Sequence, residues 1–364
     1  MNVPSARADA SKGVSVVVVN HNGGERVLNC VRALLRQSMA PAEIIVIDGG
    51  STDGSPDLLR RESPAVRVRE LGENLGPAAA RNEGLRTARS DLVLLIDDDL
   101  YLDLDCLNRM VARYQADGPA VVCPRIVKYP ERQTVQCDGA APHFLGALLL
   151  LRGERPFREA PSEGWPVGGC LSACLLVERS TALGAGGFDE DYFFYFEDLE
   201  FSIRLAGLGH RFICESAAVA YHDRGSERPG LSYRGRGTYP PRRFYLTERN
   251  RLTTILIHYR LRTLTLLLPA LAVCELAVLG LAMRRGWLRE WTTAWLWQFT
   301  HVGSVIDRRR RMQRARRRPD RELLWGGPLP LSPGLAGSRP LRFTVSLLSS
   351  GLNTYWRLAR RWVG

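Results

Sequence analysis

Leu92-Val93-Leu94-Leu95-Ile96-Asp97-Asp98-Asp99 decides the fold of this 364-residue chain. Five apolar residues in unbroken succession, too short for a helix, read as a strand buried on both faces. The strand runs directly into three carboxylates. Two similar runs lie upstream. Val14 to Val19 ends in the turn Asn20-His21-Asn22-Gly23-Gly24, and Ile44 to Ile47 is closed by Asp48-Gly49-Gly50-Ser51-Thr52-Asp53-Gly54. Between them, Arg26 to Gln37 puts Val27, Cys30, Val31, Leu34 and Leu35 on one helical face. Further helices are expected through Leu58 and Leu59 and from Pro77 to Ala88, with a short strand near Val66 to Val68. Strands alternating with helices predict an α/β fold, a mostly parallel sheet with helices on both faces. Ligands of such sheets sit beyond the carboxyl ends of the strands. Asn20–Asn22, Asp48–Asp53 and Asp97–Asp99 all fall there, which points to one site.

From about Val121 the alternation loosens, and residues 138–169 are rich in Pro and Gly. A turn at Gly168-Gly169 leads into an apolar segment ending at Val177. Then comes Gly187-Phe188-Asp189-Glu190-Asp191-Tyr192-Phe193-Phe194-Tyr195-Phe196-Glu197-Asp198-Leu199-Glu200, which interleaves carboxylates with aromatics. Carboxylates beside aromatic rings lose water, which strengthens metal binding and raises a carboxyl pKa toward the range of a general base. Two acidic clusters about 100 residues apart, in a chain of this layout, suggest a metal-dependent group transfer. A helix through Phe201, Ile203 and Leu205 follows. Strand segments Arg211–Cys214 and Ala218–Tyr221 then lead to His222-Asp223.

The net charge of +12 is unevenly placed. Residues 242–364 hold 23 Arg against 6 acidic residues, while residues 1–241 hold 27 basic against 32 acidic. Leu264 to Met283 is a helix of nearly continuous Leu, Ala and Val, about 30 Å long and just able to match a bilayer core. Glu275 at its middle is costly there. Trp287, Trp291 and Trp295 recur on one helical face as an interfacial anchor would, and Arg308–Arg318 holds eight Arg fit for anionic headgroups. The C-terminal third is therefore expected to be a basic, helical, membrane-associating region that lies in the membrane plane, with a true span and a soluble helical subdomain as the alternatives. No base-reading motif accompanies the Arg run, so nucleic acid is not the expected partner. The eight cysteines form no CxxC pair and read as reduced structural thiols. Met1 to Gly13 is small and polar without an apolar core, so a disordered tail and no signal peptide are expected.

Val16-Val-Val-Val-Asn-His-Asn22, Ile47-Asp-Gly-Gly-Ser-Thr-Asp-Gly54, Asn74-Leu-Gly-Pro-Ala-Ala-Ala-Arg-Asn-Glu-Gly84, Asp97–Asp99 and Gly187-Phe-Asp-Glu…Tyr195-Phe-Glu-Asp198 stand in order. Together they resemble a family 2 glycosyltransferase of the GT-A fold, near the bacterial rhamnosyltransferase-like branch. The resemblance covers about residues 14–260, including Arg249-Asn250. His21 departs from a more usual Tyr, and Pro77-Ala78-Ala79-Ala80 from a Gly-rich run. The resemblance implies a catalytic domain over 14–245, with 246–364 as the C-terminal region. It implies a nucleotide-sugar donor, dTDP-rhamnose or similar, and a glycan or lipid-linked acceptor at the inner face of the cytoplasmic membrane. By the same likeness Asp198 is the general base and Glu197 its neighbour in the catalytic pair. The resemblance also implies that Asn22, Asp48, Arg81, Asp97 and Asp98 contact the nucleotide sugar. It further implies that Asp97, Asp99 and His222 hold Mg2+ or Mn2+ and that a single displacement inverts the anomeric carbon.

Three other readings compete. A polyprenyl-phosphate glycosyltransferase typically carries clear spanning helices, which Pro269 and Glu275 argue against. A non-catalytic scaffold that binds nucleotide sugars need not keep Asp97, Asp99 and Asp198. A glycosidase also uses two carboxylates but has no need of the Asp48 loop.

Overall fold

The computed structural model describes residues 13–158, 163–223, 239–329 and 339–364; the expected N-terminal tail lies outside them except for Gly13. The chain divides into two compact units. The first takes residues 1–140, 150–201 and 210–224, and the second takes 141–149, 202–209 and 225–364. The expected division falls between 245 and 246; the second unit takes all described residues from 239 onward together with those two short internal stretches.

In the first unit, strands β1 (Val14–Asn20), β2 (Glu43–Asp48), β3 (Arg67–Glu70) and β4 (Leu92–Asp97) lie parallel in the order β3-β2-β1-β4. Their register aligns Asn20 with Asp48 and Val19 with Asp97, so the polar ends of three strands fall on one edge. Helices α1 (Glu25–Leu35), α2 (Ser55–Glu62) and α3 (Gly76–Thr87) supply the crossovers. Alternation along β1 separates the two faces of the sheet. Val16 and Val18 pack with Val27, Val31 and Leu34 of α1 and Leu59 of α2. Val17 faces the other way and meets Gly84 of α3, where an added Cβ would collide with the Val17 side chain. That glycine lets α3 seat closely on the sheet.

Beyond β4 the sheet is mixed. Cys174–Glu178 pairs antiparallel with β4, and Val121–Tyr129 pairs antiparallel with Thr134–Cys137 but parallel with Phe212–Asp223. Four residues join Val121–Tyr129 to Thr134–Cys137, too few for the crossover a parallel neighbour needs. The two expected strand segments near the end of this unit are one strand, Phe212–Asp223, with a register shift between Glu215 and Val219.

The second unit contains the helices Pro241–His258, Leu261–Arg285, Leu288–Thr300, Val302–Ala315 and Arg339–Ala359. Its charged residues do not all face outward. Glu275 accepts hydrogen bonds from the Arg251 guanidinium and, at 2.8 Å each, from the Trp291 and Trp295 indoles. Arg251 also donates to Glu248 at 2.9 Å. Trp287 packs against Phe244 and Ala282. The three indoles expected as an interfacial anchor thus turn toward protein. The Arg run is divided as well. Arg309, Gln313 and Arg316 donate to the carbonyls of Leu256, Ile257, His258 and Tyr259, satisfying the C-terminal end of Pro241–His258. Arg310, Arg311, Arg314 and Arg317 stay exposed.

Two stability predictions follow from this packing. Gly84→Ala gains about 1 kcal/mol of helix propensity but meets Val17 at overpacking cost of about 1–3 kcal/mol. The thermal midpoint should fall, and an unchanged or higher midpoint would refute the close seating of α3. Arg251→Met leaves two carboxylates without their cation and should cost about 3–5 kcal/mol, measured by denaturant unfolding.

Candidate active site

Helix α3 is the element from which the site is built. It starts at Gly76, whose φ of +86° and missing Cβ allow the carbonyl of Phe193 to lie directly against it. Asn82 pairs with the backbone of Phe188 in both directions, donating to its carbonyl at 2.8 Å and accepting from its N–H at 2.7 Å. It also donates to Glu190 at 2.7 Å. The acidic-aromatic segment is therefore laid along α3. Phe193, Tyr195 and Phe196 then take φ of +58°, +66° and +66°, a region that bulky residues adopt only under constraint. Stacking of Phe188 on Phe201, with centroids 4.1 Å apart, secures the far side. This strained loop delivers Glu197 and Asp198 into the first turn of the helix Glu197–Leu208, where the helix dipole favours negative charge.

Arg81 is 1% exposed. One amino group donates to Asp97 at 2.6 Å and the other to Glu197 at 3.2 Å. The guanidinium thus bridges the two acidic clusters. Burial pushes the Asp97 and Glu197 carboxyls up, and Arg81 pulls both back down. Arg81 Nε and Glu197 Oε2 are buried without a hydrogen-bond partner, a donor and an acceptor left open inside the site. Asp198 is partly exposed and accepts from the Leu199 N–H at 2.7 Å. Burial, then the Glu197 charge beside it, pushes the Asp198 carboxyl up to about 7.

Asp99 and His222 come together at the other side of β4. His222 Nε2 stands 3.2 Å from Asp99 Oδ2, and Nδ1 stands 3.0 Å from Gln136 Oε1. An Nδ1–H donated to Gln136 leaves the Nε2 lone pair facing Asp99. Two ligands at about 2.1 Å and a right angle lie about 3 Å apart, so this oxygen and nitrogen suit neighbouring positions on one divalent cation. The third expected ligand does not join them as a ready set. Asp97 turns Oδ1 to Arg81, and no group of three or more His, Cys, Asp or Glu residues poised for a metal occurs among the described residues.

Asp48 lies at the end of β2, 1% exposed, with Oδ1 accepting from Asn20 at 2.6 Å and Ser51 Oγ at 2.5 Å. Its Oδ2 accepts from the Ser51 N–H at 2.9 Å. Asn22 Oδ1 accepts from the Thr52 N–H at 2.8 Å. Both residues shape the loop after β2. Asp98 is buried, its Oδ2 3.4 Å from the His21 N–H. Sequence reasoning assigned no role to Asn82, Ser51 or Gln136. Asn82 and Ser51 stood inside quoted motifs, whereas Gln136 lay where the pattern had loosened and carried no local signal.

Replacing Arg81 tests the bridge. Arg81→Met should destabilise the fold by about 3–5 kcal/mol, because the buried Glu197 and the part-buried Asp97 lose their cation. It should also move the Asp198 ionisation above about 7, since Arg81 lowers that pKa. A variant of unchanged stability would refute the bridging role.

Comparison with known proteins places this arrangement in a family. The profile described as Glycosyl transferase family 2 matches residues 15–147. The N-acetylglucosaminyl-diphospho-decaprenol L-rhamnosyltransferase of Mycobacterium tuberculosis (strain CDC 1551 / Oshkosh) is 30% identical over 231 residues, 57% of this chain and 75% of that protein. The succinoglycan biosynthesis protein ExoO of Rhizobium meliloti (strain 1021) is 32% identical over 153 residues, 42% of each chain. The crystal structure of GalNAc-T7 with UDP, GalNAc and Mn2+ matches 67% of this chain and 48% of its own with a TM-score of 0.52. At 16% identity that likeness concerns the fold alone. On the extent of the rhamnosyltransferase match and the family profile, the chain belongs to glycosyl transferase family 2 and is a glycosyltransferase.

Proposed function

We propose that this enzyme transfers a sugar from a nucleotide-sugar donor to a hydroxyl of a glycan or lipid-linked acceptor in cell-envelope polysaccharide synthesis, with inversion at the anomeric carbon. The observation that carries the reading is Asp198. It is a partly exposed carboxyl raised to about 7, beside Glu197 and tied through Arg81 to the strand end that bears Asp97. A base with a pKa near the working pH takes the acceptor proton most effectively. Asp198 would accept that proton as the hydroxyl attacks, and Glu197 would raise its basicity and orient the acceptor. Arg81 would hold the two clusters at a fixed separation. Asn22 and Asp48 would act through the Gly49–Thr52 loop that frames the nucleobase, and Asp97 and Asp98 would line the nucleotide side.

Asp99 and His222 would hold Mg2+ or Mn2+, with Asp97 completing the site on the donor side. When bound, the cation would neutralise charge on the departing diphosphate. The rhamnosyltransferase named above makes an L-rhamnosyl nucleotide the first donor to test. The basic C-terminal region supports placement at the inner face of the cytoplasmic membrane, where such a donor meets a lipid-linked acceptor.

The direct experiment measures nucleotide release from a panel of nucleotide sugars with Mn2+, Mg2+ or EDTA, with and without a lipid-linked acceptor fraction. Metal-dependent release from one donor is expected; binding without release from any donor would leave only the scaffold reading. The transfer rate should rise with pH through about 7 and then level, because Asp198 acts only when deprotonated. Asp198→Asn should lower the rate by about 10²–10⁴-fold and abolish that rise while keeping donor affinity within a few-fold. A raised folded-state pKa favours the fold at low pH, in full below about 4, and this contribution is lost as pH rises through about 7. Asp198→Asn should therefore be more stable than the parent at pH 8 and lose that advantage at pH 4. Asp99→Ala should weaken donor binding with Mn2+ and leave it unchanged with EDTA, measured by calorimetry.

A further inference from the structure

The helix Leu261–Arg285 turns its acidic residue inward and its apolar residues out. Leu261, Leu268, Leu276 and Met283 are 70%, 64%, 67% and 65% exposed. Spacings of seven, eight and seven residues align them on one stripe at about 100° per residue. The most apolar 18-residue window of this helix has a mean hydropathy of 2.3, yet only 17% of it is buried. Exposed arginines stand at both ends of the stripe, Arg262 at one and Arg284 and Arg285 at the other. The same unit exposes Leu296 and Phe299 on Leu288–Thr300, and Phe343, Leu347 and Leu358 on Arg339–Ala359. Apolar exposure on this scale marks a surface that is covered in use.

The charge pattern identifies what covers it. Residues 261–364 carry 18 Arg against 5 acidic residues. Of these acids, Glu275 is committed to Arg251 and two indoles, and Asp320 to Arg316. An apolar stripe ending in cations at both ends complements an acyl boundary below anionic headgroups. The ties of Glu275 also set the orientation. A helix crossing the bilayer would draw Arg251, Glu248 and the charged helix Pro241–His258 into hydrocarbon with it, at high cost.

We propose that the second unit docks in the plane of an anionic bilayer surface, with the Leu261–Met283 stripe in the acyl boundary and Arg262, Arg284 and Arg285 among the headgroups. The proposal refines the membrane placement given above and does not depend on the catalytic residues. The lipid-facing residues are then those of this stripe, not the Trp287, Trp291 and Trp295 face.

The test is flotation of the full-length protein with vesicles of phosphatidylglycerol and phosphatidylethanolamine, or of phosphatidylcholine alone. The parent should float with the anionic vesicles, with binding about tenfold weaker on the neutral ones or at high salt. Leu268→Glu/Leu276→Glu should lower anionic-vesicle binding by about tenfold or more at an unchanged thermal midpoint. If that pair does not fold, Leu268→Ser/Leu276→Ser should give a smaller loss in the same direction. Alkaline carbonate should release the bound protein. Retention after carbonate, equal binding to neutral vesicles, or undiminished binding by either pair would overturn the proposal. So would a lipid-free dimer that the substitutions dissociate, which would assign the stripe to a second copy. Asp198→Asn should float like the parent whatever its transfer rate, so failure of the catalytic reading shows separately.

Discussion

The buried guanidinium of Arg81 is the interaction on which the catalytic unit depends. Asp97 and Glu197 are 100 residues apart in sequence and would repel each other if brought together alone. Burial makes that repulsion worse, because each carboxylate gives up water. One fixed cation between them turns the burial of Glu197 and the partial burial of Asp97 into a hydrogen-bonded bridge. Arg suits the place better than Lys, since its planar fork meets two carboxylates at once. The same cation tempers the carboxyl of Asp198, which would otherwise ionise at still higher pH.

Helix α3 turns that bridge into a rigid frame. Gly84 lets it press on Val17, Gly76 admits the Phe193 carbonyl, and Asn82 grips Phe188 like a neighbouring strand. Only a framework of this kind can hold three aromatic residues at positive φ, which costs energy at each. That strain lies immediately before Glu197 and Asp198, where it aims two carboxyls rather than stabilising the fold.

Charge is used differently in the second unit. Arg251, Arg309 and Arg316 satisfy buried carboxylates and the open carbonyls of a helix end. A basic composition is therefore not the same as a basic surface: part of the arginine is internal structure, and the remainder is what a partner meets.

Much of this was legible in the sequence. Periodicity sets the strands β1 to β4 and the helices between them, because an apolar run that must be buried on both faces has few other solutions. The placement of Asn20, Asp48 and Asp97 at strand ends follows from the same pattern. Direction of pairing beyond β4 was not legible, since local periodicity does not say whether a neighbouring strand runs up or down. Partners were legible least of all. Arg81 with Glu197, His222 with Gln136, and Glu275 with Trp291 and Trp295 are pairings across long stretches of chain. The sequence alone determined which residues carry charge and which segments must be buried. The tertiary structure alone decided which charge faces which, because a side chain's partner is set by where distant segments meet, and no local pattern encodes that distance.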